Sequence, residues 1–382
     1  MSCVQVFCRI RPLNNADQVA TSKIAANTIT VAERSFVFDQ VFGPTTNQEH
    51  IYVEVARPLV HGILGGYNGT LFAYGQTSSG KTHTMEGVFG DYAMRGVIPR
   101  IVDDLFSMIA ERKAANASLD FHVKVSCFEI YNEKIRDLLE PTKTNLPIHE
   151  DARRIPYVRG ATEKCVASPT ELFRAVEKGK SNRQVGETNM NLHSSRSHSV
   201  VMIQVDQVDR QDVKKKTGKM YLVDLAGSER LKKTGAMGQA VVEAKSINGS
   251  LSALGNVISA LSEKKKTHVP YRDSKLTRLL QGSLGGNSRT AIIICASPAR
   301  SNESETLSTL MFGERAKTVK NDVSINEEHS SDICCDKCKA GVDLNEINGK
   351  VQTLLRTFIQ QERNFYTNLI QRLAAQDGEG II

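Results

Sequence analysis

The amino-acid sequence predicts an α/β protein: a central, mostly parallel β-sheet with helices on both faces, followed by a linker and a C-terminal helix. Three observations predict it. Short apolar runs alternate with stretches of helical periodicity, the pattern of a sheet covered on both sides. One of those runs, Leu71-Phe72-Ala73-Tyr74, feeds a Gly-rich turn that opens the next helical stretch. Near Asn321 the composition turns polar and acidic, which ends the folded body. No internal repeat of fixed period interrupts this order.

Val4 to Ile10 reads as a first strand, closed by Pro12, and Ser35 to Phe38 as a second. Ile51, Val55, Leu59 and Ile63 recur at four-residue spacing, which places a helix over 48–64 with a kink expected at Pro58. Further strands fall at 122–130, 200–208, 220–225 and 290–297, with helices over 100–112, 170–180 and 246–262. The body is expected to close at residue 317. Residues 318–341 then form a linker bearing Cys334, Cys335 and Cys338, and 342–376 an amphipathic helix. Gln361 and Asn368 interrupt its heptad seam, so two covers for the apolar face stay open: a second copy of the chain, giving a homodimer, or the body itself.

The 382 residues are enough to bury a large core, and 40% hydrophobic with 24% charged content is that of a soluble globular protein. No apolar run reaches the ~18 residues that suggest a bilayer span. The first residues run straight into a strand pattern, so no secretory signal is expected. Eight scattered cysteines without a disulfide framework suit reduced thiols and a cytoplasmic setting. A zinc reading of Cys334, Cys335, Cys338 and His329 is incomplete, because no second Cys pair follows. The net charge of +7 is uneven: residues 326–382 hold 6 Lys+Arg against 9 Asp+Glu, leaving +10 on residues 1–325. A basic body points to a polyanionic partner, nucleic acid or an acidic protein surface.

Gly75-Gln76-Thr77-Ser78-Ser79-Gly80-Lys81-Thr82 matches the P-loop pattern G-x-x-x-x-G-K-[ST], set between a strand and a helix as that pattern requires. Its glycines let backbone N–H groups curl around phosphates, Lys81 would pair with the β- and γ-phosphates, and the Thr82 hydroxyl would bind Mg²⁺. Leu222 to Gly227 is an apolar strand ending in D-x-x-G, where Asp224 can hold Mg²⁺ through water and Gly227 can sense the γ-phosphate. Asn191 to His198 is hydroxyl-rich with an arginine. Alone it could be a surface loop; beside the other two motifs it reads as a sensing loop. No guanine-reading N-K-x-D motif occurs, which favours ATP.

At these residues the sequence resembles the kinesin superfamily, most of all conventional kinesin heavy chain. The likeness rests on Phe72 to Met85, Ser194-Ser195-Arg196-Ser197-His198, Asp224 to Glu229, Arg9-Ile10-Arg11-Pro12, Tyr271 to Leu279, Ser250 to Leu261 and Phe312 to Lys317, and it runs from about Val4 to Asn326. It implies a P-loop NTPase of the kinesin type over 1–317, a microtubule-stimulated ATP hydrolase that moves toward the plus end. Arg9, Arg11, Pro12 and His83 would line the adenine. Ser195 would contact Mg²⁺ and the γ-phosphate, and Arg196 and Glu229 would pair when the loops close, ordering the attacking water. The plain alternatives are a surface charge for Arg9 and a loop acid for Glu229. Residues 318–328 would be a neck linker latched by Asn326, with a flexible tether as the alternative. Two departures stand out. Only Met1 to Cys3 precede the first strand, so a cover strand is short or absent. Gly249 stands where the family usually has Lys.

The same resemblance assigns the basic surface to tubulin. Arg272, Lys275 and Arg278 lie in the contact segment; Lys264, Lys265 and Lys266 immediately precede it. Lys232 and Lys233 follow the D-x-x-G motif, and Arg153 and Arg154 sit in another loop. A lysine run is most often just a solvated loop. Nucleic acid is not expected, since the interleaved aromatics of a stacking platform are missing. The rival function is a static microtubule anchor or regulator.

Overall fold

The structure, a computed structural model, describes residues 2–13, 21–151, 154–185, 195–211, 214–229, 239–263 and 268–329. The chain divides into the units Met1–His329 and Ser330–Ile382, and every described residue belongs to the first. The helix expected over 342–376, the three linker cysteines, Arg153, Lys232, Lys233, Lys264, Lys265 and Lys266 lie outside the described residues.

The chain opens with β1 (Ser2–Cys3) and β2 (Gln5–Ile10). A small sheet of β3 (Thr21–Ile24), β4 (Thr28–Val31) and β5 (Arg34–Val37) follows, and β6 (Gln40–Phe42) returns to the main sheet. The stretch expected as one kinked helix is α1 (Gln48–Ile51), a π turn (Tyr52–Ala56) and α2 (Arg57–Leu64). Pro58 falls in the first turn of α2, where its missing amide donor is not needed; the helix restarts there.

Next come β7 (Gly69–Tyr74), α3 (Lys81–Met85), α4 (Val97–Ala115), β8 (Leu119–Tyr131) and β9 (Lys134–Asp137). The hairpin of β10 (Ile148–Glu150) and β11 (Pro156–Val158) precedes β12 (Lys164–Val166) and α5 (Pro169–Val185). The long pair β13 (His198–Asp209) and β14 (Lys214–Asp224) leads to α6 (Gln239–Ser262), α7 (Lys275–Leu279), β15 (Arg289–Ala296) and α8 (Glu303–Ala316). Two short strands follow, β16 (Lys320–Asn321) and β17 (Glu327–His329).

The main sheet runs β12-β8-β13-β14-β7-β15-β2-β6. It is mixed. From β14 to β6 every pairing is parallel, whereas β12, β8, β13 and β14 pair antiparallel. The short connection between β13 and β14 allows only the antiparallel arrangement, since a parallel pair needs a crossover of a dozen residues or more.

Alternate residues of each strand enter opposite cores, as the two-residue period of a strand dictates. Leu71 and Ala73 pack with Ile51, Leu59, Ile101 and Leu105 on one face. Phe72 and Tyr74 pack with Leu254, Ile258, Leu310 and Phe312 on the other. Tyr74 and Phe312 stack with ring centroids 3.7 Å apart. At about 1.5–3 kcal/mol for each large apolar side chain removed from water, the strand that feeds the Gly-rich turn is anchored from both sides. The parallel strands β14, β7 and β2 end together, at Asp224, Tyr74 and Ile10. In a sheet of this kind the crevice beyond those ends is where ligands bind.

Candidate nucleotide site and linker latch

The loop from Gly75 to Gly80 sits in that crevice. Gly75 has φ +149°, and a Cβ there would lie 2.1 Å from the Cys295 carbonyl oxygen, so only glycine lets the loop leave β7 against β15. The Lys81 ammonium, buried, donates to the carbonyl oxygens of Gly75 and Gln76 at 2.9 Å each. Burial lowers its pKa, and Asp224, Cys295 and Glu229 oppose that shift. Thr82 Oγ1 donates to Asp224 Oδ2 at 2.7 Å. Asp224 Oδ1 and Ser79 Oγ are buried without a hydrogen-bond partner. An orphan carboxylate oxygen beside a threonine hydroxyl is a hard oxygen donor set suited to Mg²⁺, and Lys81 with Ser79 suits phosphate.

The D-x-x-G loop is fastened to the P-loop and to the end of the hydroxyl-rich segment. Ser228 N–H donates to Gly75 O at 3.1 Å, and Gly227 N–H donates to Ser195 O at 2.8 Å. A Cβ on Gly227 would lie 2.4 Å from Thr77 Oγ1, so the three pieces meet only around a glycine. Glu229 receives Thr77 N–H at 2.7 Å through one carboxylate oxygen and the Thr77 hydroxyl through the other. Arg196, next to Ser195 in the chain, is half-buried.

Sequence reasoning gave no role to two buried groups behind these loops. His198 Nδ1 accepts from Ala226 N–H at 3.0 Å, and its Nε2 meets Ser250 Oγ of α6 at 2.8 Å. Burial, with Arg183 and Lys81 nearby, pushes the His198 pKa down to about 3, so the ring is neutral and its Nε2–H is the donor to Ser250. It ties the loop to α6. Arg183, at the end of α5, lies 3.6 Å from Asp224 Oδ2 and donates to Ser197 O at 3.0 Å. Both act through partners distant in sequence, and no local spacing announces them.

On the base side, Arg9 lies on an interior strand and is half-buried, so the alternative of a plain surface charge does not hold. Its guanidinium donates to Gln48 Oε1 and Thr84 Oγ1, each at 2.8 Å, and Gln48 in turn holds the His83 carbonyl at 2.7 Å. Burial, then Arg9, lowers the His83 pKa, which leaves a neutral ring. Arg11 donates to the Pro12 carbonyl at 2.8 Å.

The basic residues of the segment expected to meet tubulin are only partly free. Arg272 is exposed, in a groove of about 560 Å³ that Arg154, His268 and Arg278 also line. Arg278 is paired with Glu150 of β10, and Lys275 donates to Leu146 O at 3.2 Å. Gly249 is exposed with nothing within 4 Å of a Cβ placed on it. Cys8, Cys127 and Cys295 are buried free thiols; Cys3 and Cys165 are exposed. Among the described residues there is no group of three or more His, Cys, Asp or Glu side chains that could hold a metal, and no helix is long and apolar enough to cross a membrane.

Past α8 the chain lies along the body. The short cover strand exists: Ser2 and Cys3 pair antiparallel with Asn321 and Lys320. Asn321 is a buried rivet that the sequence did not announce. Its Nδ2 donates to Ser283 O at 2.9 Å and Ser288 O at 2.7 Å, and its Oδ1 accepts from Gly285 N–H at 2.8 Å. Asn326 donates through its side chain to Gly66 O, Asn68 Oδ1 and Thr217 O at 2.9, 3.1 and 3.0 Å. Asn287 donates to Asn326 Oδ1 at 3.1 Å.

A P-loop at the head of a mixed sheet, tied to a D-x-x-G loop, defines a nucleotide-binding protein of the P-loop class. The family model described as the kinesin motor domain matches residues 5–319. The chain is 61% identical over 330 residues to the kinesin heavy chain of Caenorhabditis elegans, covering 85% of this chain and 40% of that protein. It is 52% identical over 366 residues to the kinesin-1 heavy chain of Homo sapiens, covering 94% and 38%. A solved structure of a fast kinesin, described for its implications for ATPase mechanism and interactions with microtubules, superposes with a TM-score of 0.81 at 47% identity, covering 90% of this chain and 98% of that one. The chain belongs to the kinesin family. It spans about 40% or less of the heavy chains it resembles.

Proposed function

We propose that this chain is the motor part of a cytoplasmic microtubule motor, which couples ATP hydrolysis to movement toward the plus end. The observation that carries the reading is the hydrogen-bonded joint of Gly75, Thr77, Ser195, Gly227, Ser228 and Glu229, together with residues 327–329 laid on the sheet as β17. A static anchor needs neither. The kinship with kinesin heavy chains supports the same reading.

Phosphoryl transfer depends on positioning and charge neutralisation more than on a strong base. Residues Gln76 to Thr82 would cradle the phosphates, with Lys81 leaving its two carbonyl partners to reach them. Thr82, Ser195 and, through water, Asp224 would hold Mg²⁺, which supplies neutralisation of phosphate charge. Arg9, Arg11, Pro12 and His83 would hold the base. Glu229 rests on Thr77; on closure it would pair with Arg196 and order the attacking water, so that hydrolysis waits for the loops to close. Arg154, Arg272, Lys275 and Arg278 would face tubulin, together with Arg153, Lys232, Lys233, Lys264, Lys265 and Lys266. Residues 318–328 would be the neck linker, whose docking converts loop closure into a directed step. A homodimer would form through 342–376. The deciding measurement is the ATPase rate with and without microtubules. Strong stimulation is expected; none would sink the motor reading.

A further inference from the structure

The strand that receives the linker is longer than its neighbour. β7 pairs only with Met220–Asp224 of β14, so the first half of β14 presents an edge that β7 does not reach. β17 fills it antiparallel, with Lys214 opposite His329, Lys215 opposite Glu328 and Lys216 opposite Glu327. Backbone addition to an open edge needs only an extended segment. Here three consecutive lysines meet two consecutive glutamates, which is a further instruction.

Directly opposed residues of an antiparallel pair share a face of the sheet. Lys215 therefore stands on one face with Glu328, and Lys216 on the other with Glu327. On the far side of β14, the lysines oppose Asp209, Val208 and Gln207 of β13 in turn. Lys215 also has Asp206, whose carboxylate lies 3.5 Å from its ammonium. Lys216 faces the neutral Gln207, so Glu327 is the only carboxylate directly opposite it. Both glutamates are exposed and the lysines half-buried, so the pairing is open to salt. Asn326 contributes differently. Its bonds to Gly66, Asn68 and Thr217 are between neutral groups and fix where the strand starts, with little sensitivity to ionic strength.

We propose that Lys216 and Glu327, backed by Lys215 and Glu328, form an electrostatic latch that sets how firmly the linker strand closes and makes closure depend on ionic strength. The inference rests on the linker reading above. The two lysines are positioning residues: they touch no nucleotide and act through the linker.

The test is hydrogen exchange of the 382-residue protein, read over the peptide containing residues 326–329, for the parent, Lys216→Glu, Glu327→Lys and the double swap. Peptides of β7 report that each variant is folded. Each single reversal should lower protection of that peptide by about three- to tenfold at low salt, and the swap should restore it to within about twofold. The differences should fade near 1 M salt, where the screening length shrinks to about 3 Å. A swap no better than the singles, or differences that ignore salt, would overturn the latch and leave backbone pairing alone. Loss of protection over 326–329 in the parent, with β7 protected, would overturn the latch together with the docked linker. Failure of microtubules to stimulate ATPase would sink the motor reading and leave this result untouched.

Discussion

Thr77 holds both carboxylate oxygens of Glu229, so the acid proposed to position water rests on the P-loop in this structure. Glu229→Ala should therefore still bind ATP, because no phosphate contact is removed, and lose about 10²-fold or more in the chemical step, the cost of misplacing a reactant by about an ångström. Single-turnover kinetics with a separate binding measurement checks it; near-normal turnover would rule the role out. His198 gives a second prediction at this scale. Its ring is neutral in the fold, with a pKa lowered to about 3 by burial and then by Arg183 and Lys81. The unfolded chain takes up a proton near the ordinary value of about 6.5. Between those two values the unfolded state binds more protons, so this contribution to stability is complete above about pH 6.5 and is lost as pH falls toward 3. At pH 5 the loss from this one group is about 2 kcal/mol. Denaturant unfolding at pH 7 and pH 5, compared with His198→Gln, should show the parent losing that much more than the variant.

At the scale of elements, the strands and long helices were readable because burial on both faces demands unbroken apolar runs, as in Leu71 to Tyr74. Their ends were not. β8 and β13 run past the expected stretches through polar residues such as Asp120 and Asp209, held by cross-strand bonds rather than burial. The π turn at Tyr52–Ala56 kept the four-residue spacing that suggested one helix kinked at Pro58. β16 and β17 have too few residues for any periodicity; Asn321, Asn326 and the lysine edge place them. In the site, the phosphate loop was legible because its chemistry is contiguous, whereas His198, Arg183, Asn68 and Asn287 find their partners far along the chain. The α7 segment shows both sides. Arg272 is exposed as expected, while Arg278 is spent on Glu150, so Arg278→Ala would disturb the β10–β11 hairpin as well as any filament contact. A cleaner probe replaces Lys264, Lys265 and Lys266 by Ala. Microtubule affinity should fall about three- to tenfold at low salt, with basal ATPase unchanged, since attraction between charges that meet across water is screened by salt. Cosedimentation across a salt series checks it; equal affinity at low salt would refute it.

Across the whole molecule, the positive balance lies in residues 1–325 and the acidic excess after them, and the chain divides at Ser330. What the second part does is a question about cover. Val351, Leu354, Leu355, Phe358, Phe365, Leu369 and Leu373 recur at helical spacing, and such a face is left to water only at a cost. A partner helix is the simplest cover, yet the seam is weak. It runs for only about three heptads, a length at which isolated helices are marginal. Gln361 and Asn368 fall where apolar residues are wanted, and Phe358 and Phe365 are bulky for a two-stranded seam. The expected result is a concentration-dependent monomer–dimer equilibrium, removed by truncation at Gly341. Sedimentation equilibrium of the intact and truncated chains measures it. A strict monomer at tens of micromolar would mean that the apolar face is covered within one chain or left uncovered, and hand-over-hand stepping by this chain alone would then be excluded.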